Sequence, residues 1–388
     1  MILIFRFFGA CLVLILSTLS LAAFETTARA AYVLDQATGT VLLAKNADEA
    51  LPPASMSKLM TLYVTFEALR SGRLSLDERL PVSAAAMAYK GSTMFLNTTD
   101  KVRVEDLLRG IIVMSGNDAT VVLAEALSPD GTEAGFARFL TKRARQMGMM
   151  NSTFMNSNGW PQEGHRMSVR DLGILASAII ADFPEYYPMF AEKEFAFDGR
   201  APSNTKNRNP LLGAGIGADG LKTGHTDEAG FGLVGSAVQD GRRVIVVITG
   251  MDTAARRAEE AAAIVNWSFR QFGEKTIAKA GTPVAQADVW MGEQRSVGLV
   301  PAEDITVLLP AFAGSNIPAT VVYTGPFNAP IKKGQQLGEL VVTPDELPEL
   351  RLPLVADRDV AAGGFMVRIR AAAELLIKQF VASTAEAS

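Results

Sequence analysis

Residues 53–61 read Pro53-Ala54-Ser55-Met56-Ser57-Lys58-Leu59-Met60-Thr61. Pro52 and Pro53 interrupt the chain, and from Ser55 to about Arg70 the residues Leu59, Met60, Tyr63, Val64 and Ala68 recur on a 3.6-residue period, which predicts a helix. Positions i and i+3 share one helical face, so the Ser55 hydroxyl and the Lys58 amine can meet. The start of a helix also offers free backbone N–H groups and the positive end of the dipole, which favour an oxyanion and disfavour an ammonium. The pair therefore fits a serine nucleophile with an amine base. The spacing alone does not single it out. Ser203-Asn204-Thr205-Lys206 repeats it after Pro202, but no helical pattern follows there.

Two further patterns lie downstream. Ser115-Gly116-Asn117 sits where helices predicted over 103–112 and 117–127 break. Ser115 can relay a proton there and Asn117 can hold an amide or the lysine, although Ser and Asn also serve as ordinary helix caps. Lys222-Thr223-Gly224-His225 lies on the first of three strands, Leu221–Thr223, Phe231–Ala237 and Val244–Thr249. Lys and Thr can bind a carboxylate at that point, and Gly admits a ligand backbone; a charged edge strand is the plainer alternative. Taken in order, S-x-x-K, S-x-N and K-T-G are the signature of serine penicillin-recognising enzymes.

Around these motifs the chain is organised as an α+β protein. Residues 28–45 carry two apolar runs flanking a turn at Gly39, a hairpin signal. Residues 133–147, 168–181 and 254–272 read as helices. Gly273, Gly281 and Pro283 loosen the chain, and short strands follow at Asp288–Met291, Ile305–Leu309, Ala319–Tyr323, Leu337–Val342 and Leu350–Val355. They predict a small all-β domain. Over 363–382, Phe365, Ile369, Ala372, Ala373, Leu376, Ile377 and Phe380 share one arc of a helix, with Arg368, Arg370, Glu374 and Lys378 on the rest. Such a tail either packs on its own domain or lies in a membrane interface.

The 388 residues carry 37 Lys+Arg against 41 Asp+Glu, a charge of −4, so the basic excess of a general nucleic-acid binder is missing. One Cys and two His leave no material for a Cys-based zinc cluster. Between Arg6 and Glu25 the chain is uncharged. That run is short for a membrane span and suits a signal peptide with small residues before a cut near Ala22, although an uncleaved anchor has the same pattern. Cleavage there removes Cys11 and leaves a cysteine-free chain suited to an oxidising compartment.

The chain resembles the D-alanyl-D-alanine carboxypeptidases, low-molecular-mass penicillin-binding proteins. The likeness rests on residues 53–61, on Ser115-Gly116-Asn117-Asp118-Ala119, on Asn207-Arg208-Asn209-Pro210-Leu211-Leu212 and on Asp219-Gly220-Leu221-Lys222-Thr223-Gly224-His225-Thr226. One departure is Gly213, where an aromatic often follows the Leu-Leu pair. The resemblance implies a signal peptide over 1–22 and a β-lactamase/transpeptidase-like catalytic domain over 23–275, an antiparallel sheet with helices on both sides. It implies an all-β sandwich domain over 284–360 and a membrane-associating helix over 363–382. It implies that Ser55 attacks the D-Ala–D-Ala carbonyl of a peptidoglycan stem peptide, with Lys58 as base and Ser115 relaying the proton. The backbone N–H groups of Ser55 and His225 form the oxyanion hole. Asn117, Lys222, Thr223 and Gly224 complete the substrate site, with Lys222 and Thr223 on the terminal carboxylate; Arg208 and Arg256 are candidates for shaping that pocket, and surface salt bridges explain either one as well. β-Lactams act as covalent inhibitors, no metal or organic cofactor is required, and the protein is exported to the periplasmic face of the inner membrane as a peripheral protein.

Two rival functions share these motifs. A class A β-lactamase deacylates through a glutamate in a Glu-x-x-x-Asn pattern, and no Glu between 125 and 194 has Asn four residues on. A binding protein that has lost turnover is opposed by the presence of every motif residue. His165 precedes a helix and reads as a helix-start or packing residue, and Trp160 and Tyr187 read as packing residues.

Overall fold

The computed structural model describes residues 24–311, 317–344, 347, 349–365, 367 and 369. The signal segment expected over 1–22 lies outside them, as does the expected tail helix from residue 370 onward.

The predicted N-terminal hairpin forms as β1 (Ala30–Asp35) and β2 (Val41–Lys45). The helix at Ser55 begins with a 3-10 turn over Ala54–Ser57 and continues as α1 (Lys58–Arg70). Eleven of its 13 residues are buried, so α1 is a central helix rather than an amphipathic surface one. Its buried hydroxyls are satisfied: Thr61 Oγ1 donates to Ser157 O and Thr65 Oγ1 to Thr61 O, both at 2.7 Å. A small excursion follows, with β3 (Arg79–Pro81), α2 (Ala84–Ala88) and β4 (Lys101–Arg103). Then come α3 (Val104–Arg109), a π-helical turn over Gly110–Met114, α4 (Asn117–Leu127), α5 (Glu133–Gln146) and α6 (Val169–Asp182).

Three long strands close this part: β5 (Ala218–Thr226), β6 (Gly230–Gln239) and β7 (Arg242–Met251), followed by α7 (Ala254–Gln271). With the hairpin they form an antiparallel five-stranded sheet of order β2-β1-β7-β6-β5. Successive strand residues face opposite sides. Ile245 and Val247 pack into the helical core with Leu172 and Leu175 of α6, whereas Val244, Val246 and Ile248 pack with Ala261, Ile264 and Val265 of α7. Both faces are therefore covered by helices, as expected. β5 is an edge strand and lies against the 54–57 turn.

The chain at 273–278, read from sequence as a loosened connection, is instead part of β8 (Phe272–Ala278), which leaves α7 directly. It pairs with β11 (Ile305–Pro310). β8 escapes sequence detection because Glu274, Lys275 and Thr276 expose both faces of the strand. Between them lie β9 (Ala285–Trp290) and β10 (Ser296–Pro301). Further on are β12 (Ala319–Tyr323), β13 (Phe327–Asn328), β14 (Gln336–Val342) and β15 (Leu350–Ala356). They build a six-stranded sheet of order β12-β14-β15-β10-β9-β13. Its inner residues Val297, Leu299, Leu340 and Leu354 share one core with Val307 and Leu309 of β11, a sheet-on-sheet arrangement. The sequence does not announce β10, because Gly298 breaks its apolar pattern. A Cβ there would sit 2.6 Å from Asp357, whose carboxylate instead accepts the Gly298 N–H at 3.0 Å.

A buried ion pair ties the sheet to the start of the second unit. Asp35 Oδ2 accepts from Arg242 Nε at 2.6 Å, and the same guanidinium donates to Phe272 O and Ser268 O. Asp35 is fully buried. Asp35→Ala strands the Arg242 cation and is expected to cost about 3–5 kcal/mol, a fall in Tm of roughly ten degrees at about 2–4 °C per kcal/mol. A thermal melt unchanged within about two degrees overturns this.

Candidate active site

The site begins where Pro53 delivers the chain into the 3-10 turn. Ala54 takes a left-handed φ of 48°, unusual for a residue with a Cβ, and the turn presents Ser55 half-buried at the floor of a cleft. Lys58 follows one turn on and is fully buried. Its Nζ lies 2.8 Å from Ser55 Oγ and donates to Asn158 O at 2.8 Å. Burial holds this amine well below the usual lysine range, and the nearby Lys222 and Arg208 cations lower it further.

Ser115 closes the π turn with a left-handed φ of 63° and is buried. Its Oγ lies 3.0 Å from Lys222 Nζ. Burial and the Arg208 and Arg257 cations bring Lys222 down to about 7. Asn117 gives its side-chain amide to Lys90 O at 2.7 Å and its backbone N–H to Ser92 O at 2.7 Å. Asp118 accepts the N–H groups of Met94, Leu96 and Ala119. Together they pin residues 90–96 along one wall of the cleft. Burial raises the Asp118 carboxyl despite those donors.

β5 forms the opposite wall. A Cβ on Gly224 would lie 3.0 Å from Pro53 O and 3.1 Å from the Ala54 Cβ, so glycine lets the strand close on the nucleophile turn. Thr223 is buried beside it, and the exposed His225 ring stacks on Phe231 with centroids 3.8 Å apart. Two cavities meet at Ser55. One, of about 450 Å³, is lined by Ser115, Arg208, Thr223, His225 and Arg257. The other, of about 490 Å³, runs past Asn117, Asn158, Trp160 and Asp227.

The structure thus brings Ser55, Lys58, Ser115, Asn117, Lys222, Thr223, Gly224, His225 and Arg208 around one cleft. Arg208 reaches across it, donating to Ser92 Oγ at 2.8 Å and Asn204 Oδ1 at 2.7 Å. Arg256 is not part of this group. It is exposed and faces Glu259 at 3.7 Å. The cavity cation is its neighbour Arg257, buried, within reach of Arg208 O at 3.4 Å and with an unpartnered Nε. One residue is a rotation of about 100° on a helix. Arg257 shares its phase with the buried Ala261, Ile264 and Val265, a pattern visible in the sequence. Trp160 also departs from its packing assignment: 43% exposed, it lines the larger cavity and meets Tyr89 edge-on. Tyr187 is buried as a packing residue, its hydroxyl on Asp219 Oδ1 at 2.7 Å. Ser203 and Lys206 of the second spacing match are exposed and outside any helix.

A cleft with this lysine-backed serine, a second serine–lysine pair and a cationic pocket defines an acyl-transfer site of the serine penicillin-recognising class. A family profile described as D-alanyl-D-alanine carboxypeptidase matches residues 17–253, and one described as Penicillin-binding protein 5, C-terminal domain matches residues 272–362. D-alanyl-D-alanine carboxypeptidase DacC of Escherichia coli is 36% identical over 351 residues, covering 88% of this chain and 86% of that one. The crystal structure of penicillin binding protein 5 from Haemophilus influenzae superposes with a TM-score of 0.77 at 33% identity, covering 87% of this chain and 98% of that one. Penicillin-Binding Protein D2 from Listeria monocytogenes, in its ampicillin-bound form, matches at TM-score 0.56 and 32% identity over 62% of this chain and 97% of that one. The chain belongs to the D-alanyl-D-alanine carboxypeptidase family.

Arg257→Ala removes a buried donor from the cationic cavity. A hydrogen bond to a charged group is worth about 1.5–3 kcal/mol, so the second-order rate of acylation by benzylpenicillin, an anion, should fall about tenfold or more. Arg256→Ala should leave it within about twofold; equal effects overturn the assignment.

Proposed function

We propose that this protein is a serine-type D-Ala-D-Ala carboxypeptidase that removes the terminal D-alanine of peptidoglycan stem pentapeptides through an acyl-enzyme on Ser55, and that penicillins acylate the same serine. The observation that carries this reading is the fully buried Lys58 amine 2.8 Å from Ser55 Oγ. Buried without a carboxylate on it, the amine is held well below the usual lysine range, which favours the neutral form that can take the serine proton.

The peptide's terminal carboxylate is held by Arg208, Arg257 and Thr223 in the smaller cavity, with Lys222 behind. That seats the scissile carbonyl over Ser55, with the acyl part of the peptide in the larger cavity past Trp160. Ser55 Oγ attacks the carbonyl carbon as its proton passes to Lys58 Nζ. The backbone N–H groups of Ser55 and His225, residues common to both cavities, stabilise the oxyanion, a contribution of about 3–4 kcal/mol per donor where one has been removed in another enzyme. The C–N bond then breaks. Lys58 Nζ gives up the proton it took, which passes through the Ser115 hydroxyl, beside Lys222, to the departing D-alanine amine and leaves Lys58 neutral for the second half-reaction. Water attacks the Ser55 ester with Lys58 again as base, releasing the shortened peptide.

The reading extends to location. The uncharged run between Arg6 and Glu25 supports export through a signal peptide, and the amphipathic pattern over 363–382 supports peripheral attachment at the periplasmic face of the inner membrane. Deleting residues 363–388 should move the protein from the membrane to the soluble fraction. Unchanged fractionation of a signal-cleaved protein removes the anchor from this reading.

D-alanine release from a pentapeptide tests the chemistry directly. The full chain should release it and Ser55→Ala should not; release by the variant ends the proposal. With both lysines held below their ordinary range, the rate should be at its plateau above neutrality. It should fall as acid protonates the amines, the two titrating as a coupled pair. A rate that rises only as pH approaches about 10 shows that Lys58 is an ordinary ammonium.

A further inference from the structure

His165 is buried, with 2% of its surface exposed, and no step of the acyl transfer uses it. Its ring is nonetheless committed at both nitrogens. The Met155 backbone N–H donates to Nδ1 at 3.2 Å, so the ring proton sits on Nε2 and is donated to Ser57 Oγ at 2.8 Å. Ser57 lies between the nucleophile and the base in the chain, on the 3-10 turn. Met155 leads into the loop whose Asn158 carbonyl accepts from Lys58 Nζ.

That carbonyl controls the geometry of the base. A neutral amine has two N–H bonds and one lone pair. An acceptor fixed on one N–H restricts how the lone pair can turn, and here leaves it free to meet Ser55 Oγ. The loop is closed on itself, since Asn156 Oδ1 accepts from Gly159 N at 2.8 Å and Asn156 Nδ2 donates to Trp160 O at 3.0 Å. Glu133 of α5 accepts the Ser157 N–H and hydroxyl at 2.9 and 2.6 Å, and two side-chain bridges join this region to the catalytic helix and its first turn. Thr61 Oγ1 holds Ser157 O from α1, and His165 joins Met155 to Ser57. The fit is close, because a Cβ on Gly159 would strike Ala54 O at 1.8 Å.

We propose that His165 is a positioning residue for acylation: by bridging Ser57 to the Met155 backbone, it fixes the Asn158 carbonyl against the Lys58 amine and keeps water from it. The inference rests on Lys58 being the base. Phe154 packs edge-on to the imidazole, and the charged groups around it are Arg166 and Lys58. Burial, with those two cations, pushes the imidazole down to about 4, so the ring stays neutral and Nδ1 remains an acceptor across the working range. The charged groups that face Lys58 itself are Lys222, Arg208 and Asp118, none of which touches His165.

The test uses the full chain with His165→Ala, Ser57→Ala and the double variant. Active-site titration with fluorescent penicillin counts the competent molecules in each. Per competent site, His165→Ala should lower the peptide kcat about tenfold or more with KM changed less than about threefold. Its acid limb should move up toward the ordinary lysine range, because burial is the main cause of the Lys58 shift and the loosened loop admits water. Ser57→Ala removes only the other end of the bridge and guards against a misfolded His165→Ala. It should reproduce both effects, and the double variant should lose no more than the worse single one. Unchanged acid limbs, additive losses, or a defect that vanishes on counting competent sites each overturn the proposal. Total loss of D-alanine release in the unsubstituted chain would instead overturn the carboxypeptidase reading on which it depends.

Discussion

The cleft depends on keeping one lysine amine dry. A buried ammonium without a carboxylate partner is unfavourable by far more than the loss of its proton, so the group neutralises. Lys58 meets that condition: its Nζ faces a serine hydroxyl and a backbone carbonyl, and Asp118, which opposes the shift, spends its oxygens on backbone N–H groups. To bury the amine, α1 must be a central helix, with a threonine rather than a charge where it meets the 157–160 loop. The loop must in turn lie flat on the first turn, which the missing Cβ of Gly159 permits.

The cations of the cleft serve two ends that pull against each other. Arg208 and Arg257 depress Lys222, and Arg208 and Lys222 depress Lys58. The same cations are positioned to receive a carboxylate, whose arrival offsets their repulsion and so raises both amines. A lysine depressed by repulsion alone would therefore regain its proton when substrate binds. For both lysines, however, burial is the larger cause. A ligand that closes the cleft deepens that burial. Binding the anion therefore relieves only the smaller cause of the depression and leaves the larger one in place.

Much of this arrangement is legible in residue order. The serine–lysine spacing at 55 and 58, the break at Ser115 and the strand at Lys222 can each be placed, because the helix period and the hairpin turns around them are strong local signals. Arg257 hides behind Arg256 because the cleft-facing phase of α7 is set by the sheet it packs on, although its buried period points the right way. Trp160 reads as a packing residue, since no local pattern tells an aromatic in a core from one on a cavity wall. β8 and β10 escape notice where exposed charges or a glycine suppress alternation, and their pairing comes from partners distant in the chain. His165 reads only as a residue near a helix start. Its two bonds, to Ser57 and to the Met155 backbone, join segments that only the tertiary fold brings together.

The site is assembled mostly by what the backbone is allowed to approach. Ala54 and Ser115 both take left-handed φ values despite carrying a Cβ, and each lies at or beside a reacting hydroxyl. Such conformations cost of order 1–3 kcal/mol and persist only where the surroundings over-determine them. Around Ala54 those surroundings are the close contacts of Gly224 with Pro53 and Ala54, of Gly159 with Ala54, and of Gly232 with Met56. At each, the absence of a side chain lets a strand or loop close on the nucleophile turn. The strain and the glycines are therefore two sides of one constraint: the turn is bent to aim Ser55 into the cleft, and the neighbouring strands and loop press on it closely enough to hold it there. Side-chain chemistry supplies the proton transfer, while backbone approach decides that the two serines and two lysines meet at all.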